Sequence, residues 1–358
     1  MKRQDDGLIR FPRLKGLAVA VKIDETDAKI LKILLSESRT SFTAIANECK
    51  ITVTAVRMRY KRLRRVGVIN GEKMLVNPHC LGYQHIADLG IVIAVENEQE
   101  VKKFLESRPY IGELVGPLGH YRFWGKVALR DLNKLVDIIE DLESNRSIKH
   151  VDALIWSEAV NIEYPQNLVI RPLDCEDTQK IVEQPVLTNL NNEPLDLDDI
   201  DKKIAIILSQ NSRTPFKKIA AQLQISSKTV IQRYKKLRKN LLTLSTVTID
   251  LSKLGYKALG NLFIKVSNRS KMPEIYSKLL QIPNIIVIIR EMGNYDLYCA
   301  VVLEDFEKLF EVYEKIIRII GIERAEVYLT RVPPAWPLNL FPSLLESEYM
   351  KPKYWAEN

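Results

Sequence analysis

Thr54, Arg57, Met58, Lys61 and Arg64 stand within the stretch 51–65, ITVTAVRMRYKRLRR. Read at helical spacing, they lie off the apolar stripe that Val56, Tyr60 and Leu63 form at i, i+4 and i+7. Their chemistry is recognition rather than bond-making. Guanidinium and ammonium groups pair with phosphate oxygens, and an arginine fork also matches the two acceptors on a guanine edge. Thr52 stands where a side-chain N-cap would start the helix. Between Glu48 and Glu72 there are seven Lys or Arg residues and no acid. One such helix alone would be an ordinary solvated face.

The chain contains it twice. A shift of 174 positions aligns 23–64 with 197–238 without a gap, and 19 of the 42 positions are identical. Identical pairs include Arg39/Arg213, Arg59/Arg233, Tyr60/Tyr234 and Lys61/Lys235. Between Asp201 and Asp250 eleven Lys or Arg residues again meet no acid, an electrostatic footprint suited to phosphate backbones. The outward positions Thr54, Arg57 and Met58 become Lys228, Ile231 and Gln232, with Thr229 beside them.

These positions suggest a division of labour. Thr54, Arg57, Met58, Lys228, Thr229 and Gln232 are expected at base edges of double-stranded DNA, Arg57 on guanine and Gln232 on adenine. Arg39, Arg213, Lys61, Lys235, Arg64 and Arg238 are expected on phosphates. Arg59 and Arg233 either join them or brace the fold through an acid such as Asp27 or Asp201.

The elements that must hold these side chains follow from periodicity. After an N-terminal extension, 1–22, with a short strand expected at 17–21, three short helices and a hairpin make a winged helix-turn-helix over 23–80. From 81 to 157 the order β (86–95), α (98–107), β (111–116), β (121–129), α (131–143), β (149–156) describes a ferredoxin-like sandwich. An acidic stretch, 158–196, reads as a linker; from Glu158 to Asp201 there are eleven acids against two bases. The program then repeats, with a winged helix-turn-helix over 197–253 and a sandwich over 254–332. The class is therefore α+β: two copies of a winged helix-turn-helix followed by a βαββαβ sandwich. The aromatic tail 333–358 is expected to pack on the last sandwich or a neighbour.

Composition narrows the function. The net charge of +8 in 358 residues suits an anionic partner, and 46% apolar content suits globular domains. Four scattered cysteines without CxxC argue for reduced thiols in the cytoplasm. No apolar run approaches a membrane span, and no Ser/His/Asp set, phosphate loop, paired catalytic carboxylates or metal motif stands out. A non-enzymatic protein without cofactor is expected.

The helix-turn-helix pattern with Arg-Tyr-Lys at 59–61 and 233–235, Leu-Gly-Tyr at 81–83 and 254–256, and Gly293-Asn294-Tyr295-Asp296 resembles the leucine-responsive regulatory protein (Lrp/AsnC) family. The likeness covers 23–157 and 197–332. It implies a sequence-specific transcription factor whose sandwiches mediate homo-oligomerisation and bind a small effector such as an amino acid. It also implies that Gly293, Asn294, Tyr295 and Asp296 form the effector site. The first copy has Gly119-His120-Tyr121-Arg122, so an arginine replaces the acid there. The same two-domain plan also resembles sirohaem decarboxylases, the enzymatic alternative, for which His120 and Trp124 are the nearest hints. A DNA-binding architectural protein of low sequence preference is the third.

Overall fold

The computed structural model describes residues 20–108, 110–116, 119–157, 168, 170 and 193–346. The extension, most of the acidic stretch, and Tyr349, Tyr354 and Trp355 of the tail lie outside them. Each head has three helices: α1 (Glu25–Ser36), α2 (Phe42–Cys49) and α3 (Val53–Arg65) in the first, α6 (Asp199–Gln210), α7 (Phe216–Leu223) and α8 (Ser227–Asn240) in the second. Local chemistry sets their starts. Asp24 and Asp27 cap α1 reciprocally, and the Thr52 hydroxyl accepts from the Ala55 N–H at 3.1 Å at the start of α3. The α2–α3 and α7–α8 turns pass through left-handed Lys50 and Gln224, at φ 54° and 55°.

One sequence expectation fails in an informative way. No hairpin forms within either head. The strand leaving α3, β1 (Ile69–Val76), pairs antiparallel with its counterpart from the other copy, β6 (Leu242–Ile249). Each strand leaves its own helix with a free edge, and the duplicate supplies the complementary one. Helix α1 packs on β6 and α6 on β1, so the heads exchange their wings. Leu244, Val247 and Ile249 complete the core of the first head, while Met74 and Val76 complete that of the second.

The first sandwich contains β2 (His85–Ile93), α4 (Glu98–Glu106), β3 (Ile111–Val115), β4 (Phe123–Leu129), α5 (Lys134–Glu143) and β5 (Ile148–Trp156). The second repeats this with β7 (Ala258–Val266), α9 (Met272–Leu280), β8 (Ile285–Met292), β9 (Leu297–Leu303), α10 (Phe306–Ile317) and β10 (Ile322–Thr330). The βαββαβ order expected from the sequence is the one observed. Edges β5 and β8 pair at Ile155↔Met292 and Trp156↔Glu291, making one eight-stranded sheet of order β10-β7-β9-β8-β5-β2-β4-β3.

The tail departs from its expected place. Trp336 pairs with Ile249 of the wing, Asn339 donates to the carbonyls of Met74 and Ser209, and Leu345 on α11 (Ser343–Glu346) is buried in the second head. It straps the heads rather than the last sandwich because exposed backbone of the two-stranded wing sheet offers it partners. Leu168 and Ile170, in the stretch read as linker, are buried against the first head, and Lys32 donates to the Leu168 carbonyl at 3.1 Å.

Candidate nucleic-acid interface

Helix α3 buries Val56, Tyr60 and Leu63, as its periodicity requires, and turns Thr54, Arg57, Met58 and Lys61 to solvent. Helix α8 buries Val230 and Leu237 and exposes Lys228, Ile231, Gln232 and Lys235. Met58 is 66% exposed and Ile231 38%, a costly display of apolar surface unless something covers it. Thr229 is engaged at the cap, where its N–H and hydroxyl both meet the Ser226 hydroxyl.

Arg59 and Arg233 brace the heads. Arg59 contacts Asp24 at 2.6 Å and Asp27 at 2.9 Å; Arg233 does the same with Asp198 and Asp201 at 2.6 and 2.9 Å. Arg62 and Lys236 add a second cation to the buried Asp27 and Asp201. The Arg233 guanidinium, then the Asp201 N–H, hold the Asp198 carboxyl below the usual carboxylate range. These acids tie the first helix of each head to its recognition helix.

Arg39 and Arg213, expected on phosphates, are instead a reciprocal staple between the heads. Arg39 donates to the carbonyls of Ser212 and Thr214, and Arg213 to those of Ser38 and Thr40. The Arg39 guanidinium lies 4.2 Å from the Phe216 ring centre and that of Arg213 lies 4.8 Å from Phe42. Ser38 and Ser212, which are equivalent by the 174-residue shift, touch through their hydroxyls at 2.6 Å. A pseudo-twofold axis therefore passes between them.

Arg64 and Arg238 are also committed at the carboxyl ends of their helices. Arg64 pairs with buried Glu72 at 2.5 Å, and Arg238 binds the carbonyls of Leu242 and Thr243 and the Glu37 carboxylate. The sequence reading missed Lys217 and Lys218, exposed in the first turn of α7. The first helix of a helix-turn-helix crosses the DNA backbone, so two cations at its start suit phosphate. Their signal was visible as the Phe-Lys-Lys run after Pro215.

The expected effector residues lie at the junction of the sandwiches. Asp296 accepts from the Val266 N–H at 3.0 Å and Arg269 Nε at 2.9 Å, and pairs with Lys265 at 3.3 Å. Tyr295 donates to Glu326 and Asn294 to Asp152 across the junction. A Cβ on Gly293, at φ 153°, would meet Leu154 Cδ2 at 2.8 Å and the Ala153 carbonyl at 2.9 Å. Tyr121, Trp124, Leu154, Phe263 and Tyr295 fill the face between the two sheets, with Trp124 and Phe263 ring centres 4.9 Å apart. Both Asp296 oxygens are occupied, so an amino-acid ammonium would have to displace Arg269 or Lys265. Among the described residues no group of three or more His, Cys, Asp or Glu is placed to hold a metal, and no helix is long and apolar enough to cross a membrane.

The model of the AsnC-type helix-turn-helix domain matches residues 23–64 and 197–238. The HTH-type transcriptional regulator LrpA of Pyrococcus horikoshii is 37% identical over 119 residues, 33% of this chain and 84% of that one. The HTH-type transcriptional regulator Ptr1 of Methanocaldococcus jannaschii is 35% identical over 137 residues, 37% of this chain and 90% of that one. The chain belongs to the Lrp/AsnC family. Each of those relatives matches about a third of this Lrp/AsnC chain. The whole chain has a wider structural likeness. The siroheme decarboxylase NirDL superposes with a TM-score of 0.62 at 14% identity, covering 91% of this chain and 98% of that one. At that identity the fold is shared and the chemistry is not carried over.

Proposed function

We propose that this chain is a DNA-binding transcriptional regulator in which one polypeptide supplies two unlike reading heads. The observation that carries this reading is the pair of recognition helices. They stand on matched scaffolds about a pseudo-twofold axis, yet one shows Thr54, Arg57 and Met58 where the other shows Lys228, Ile231 and Gln232. Matched scaffolds place both helices in major grooves in the same manner. Unlike faces ask for unlike half-sites.

Three regions then have separate tasks. Arg57 and Gln232 read base edges, Met58 and Ile231 cover thymine methyl groups, and Lys61, Lys235, Lys217 and Lys218 hold phosphates. The junction motif Gly293–Asp296 locks the two sandwiches together, a role its contacts support better than effector capture. The decarboxylase alternative shares the architecture, but aromatic side chains fill the face between its two sheets, and the head surfaces have no part in it. Binding rather than catalysis is the better account.

The test separates the two kinds of contact. Arg57→Ala is expected to cost ~1–3 kcal/mol of affinity and relax preference at one base pair, whereas Lys61→Ala weakens all sequences alike and lowers the salt slope by about 1. Equal loss on all sequences for both variants would remove Arg57 from base reading.

A further inference from the structure

Helix α10 has two apolar faces. One, with Val312 and Ile316, packs under the second sandwich. The other carries Phe306, Phe310 and Ile317, with Ile320 just past the helix end, exposed by 69%, 64%, 45% and 69%. Half-buried Tyr313 falls between them, so the line runs at spacings of four, three, four and three. That is the spacing of a helix-pairing seam. Scattered exposed apolar side chains need no explanation, but a row of them along one helix does. At the positions 174 residues earlier, the first sandwich has exposed Leu132 and Val136 but then Glu143 and Arg146. The full row therefore exists once per chain.

We propose that this face is a two-fold interface between two copies of the chain, with α10 lying antiparallel against its mate. Charge favours that direction. Glu307 and Glu311 flank the amino-terminal half, and Lys315 and Arg318 flank the carboxyl-terminal half. Antiparallel pairing about Tyr313 sets each group opposite its complement and opposes the helix dipoles, whereas parallel pairing sets like on like. Size agrees as well. The four exposed side chains offer roughly 400 Å² of apolar surface per copy, from aromatic areas of about 200 Å² each. A standard interface buries about 800 Å² per partner, a little over half of it apolar. The row supplies most of that apolar share, with the flanking charges as rim. Because each chain carries one self-complementary patch, assembly closes at two copies instead of growing into an open array. The paired edges β5 and β8 are already used within the chain, so this contact is additional to the sandwich junction.

Sedimentation velocity on the full chain without DNA, across the micromolar range, tests this independently of any DNA reading. A species of twice the chain mass is expected. Phe306→Ser with Phe310→Ser should convert it to the single chain, with circular dichroism and melting temperature unchanged because both side chains are exposed. Glu311→Lys and Lys315→Glu should each weaken the pair several-fold, and the double reversal should restore it. A wild-type single chain throughout, which would leave the face to a different partner, overturns the proposal. So does a pair that survives the serine substitutions. Failure of the double reversal to restore association overturns the antiparallel arrangement.

Discussion

At the scale of single residues, the most consequential group outside the heads is Glu291. It is 2% exposed, and neither carboxyl oxygen meets an N–H or O–H donor. Its neighbour Asp88 is fully buried and already accepts from Lys126 Nζ at 2.6 Å and from Trp156 Nε1 at 2.8 Å. Burial first, then the Asp88 charge, push the Glu291 carboxyl far above its ordinary range, and Lys126 offsets this only in part. As a neutral acid Glu291 can donate to Asp88 across the β5–β8 seam. A folded-state value above the unfolded one means the folded chain holds a proton that the unfolded chain has lost. The stabilisation is thus complete below the unfolded value near about 4.3 and declines as pH rises toward the folded value. Glu291→Gln keeps a donor and removes the titration. Melting curves from pH 5 to 9 should show the variant gaining on wild type as pH rises; parallel curves would mean that Glu291 is ionised in the fold.

The same residue scale shows what the sequence could reveal about the site. The outward set Thr54, Arg57, Met58 and Lys61 was legible because helical periodicity alone decides which side chains leave the core. The Thr52 cap was legible for the same reason, since its partner is three residues away. Arg39 was not. Its carbonyl partners stand 173 and 175 residues further on, and nothing local distinguishes a staple from a phosphate clamp. Arg64 and Arg238 misled in the same way, because a cation at a helix end can serve the protein or a ligand equally well.

At the scale of elements, the decisive feature is the exchanged wing. Helix, strand and sandwich order were legible from periodicity and the 174-residue repeat, but the partner of β1 was not. A free strand edge can close on its own hairpin or on a duplicate, and only the tertiary arrangement chooses. The exchange makes the heads one cooperative body, held at its centre by Ser38, Ser212 and Ser245 and by the paired arginines. Arg39→Met and Arg213→Met keep the apolar stems and remove the donors. Each is expected to lower stability by about 1.5–3 kcal/mol, the range for hydrogen bonds to charged groups. Well below the melting temperature, the salt dependence of DNA binding should not change. A reduced salt slope with unaltered stability would return both residues to the phosphate backbone.

At the scale of the whole molecule, duplication converts a two-chain arrangement into one chain whose halves are free to differ. The scaffold residues stay matched: Asp24/Asp198, Asp27/Asp201, Arg59/Arg233 and Arg39/Arg213 make equivalent contacts in both copies. The outward faces diverge. The shared wing, the strap from Trp336 to Leu345 and the β5–β8 seam join both heads and both sandwiches into one body, so the spacing of the reading heads is built in. Selection of bound duplexes from a random pool at near-physiological salt tests this claim most directly. The account expects enrichment of a two-part motif with unlike halves, separated by one helical turn of about 10 base pairs or a multiple of it. A symmetric palindrome, a single half-site, or no enrichment at all would contradict it.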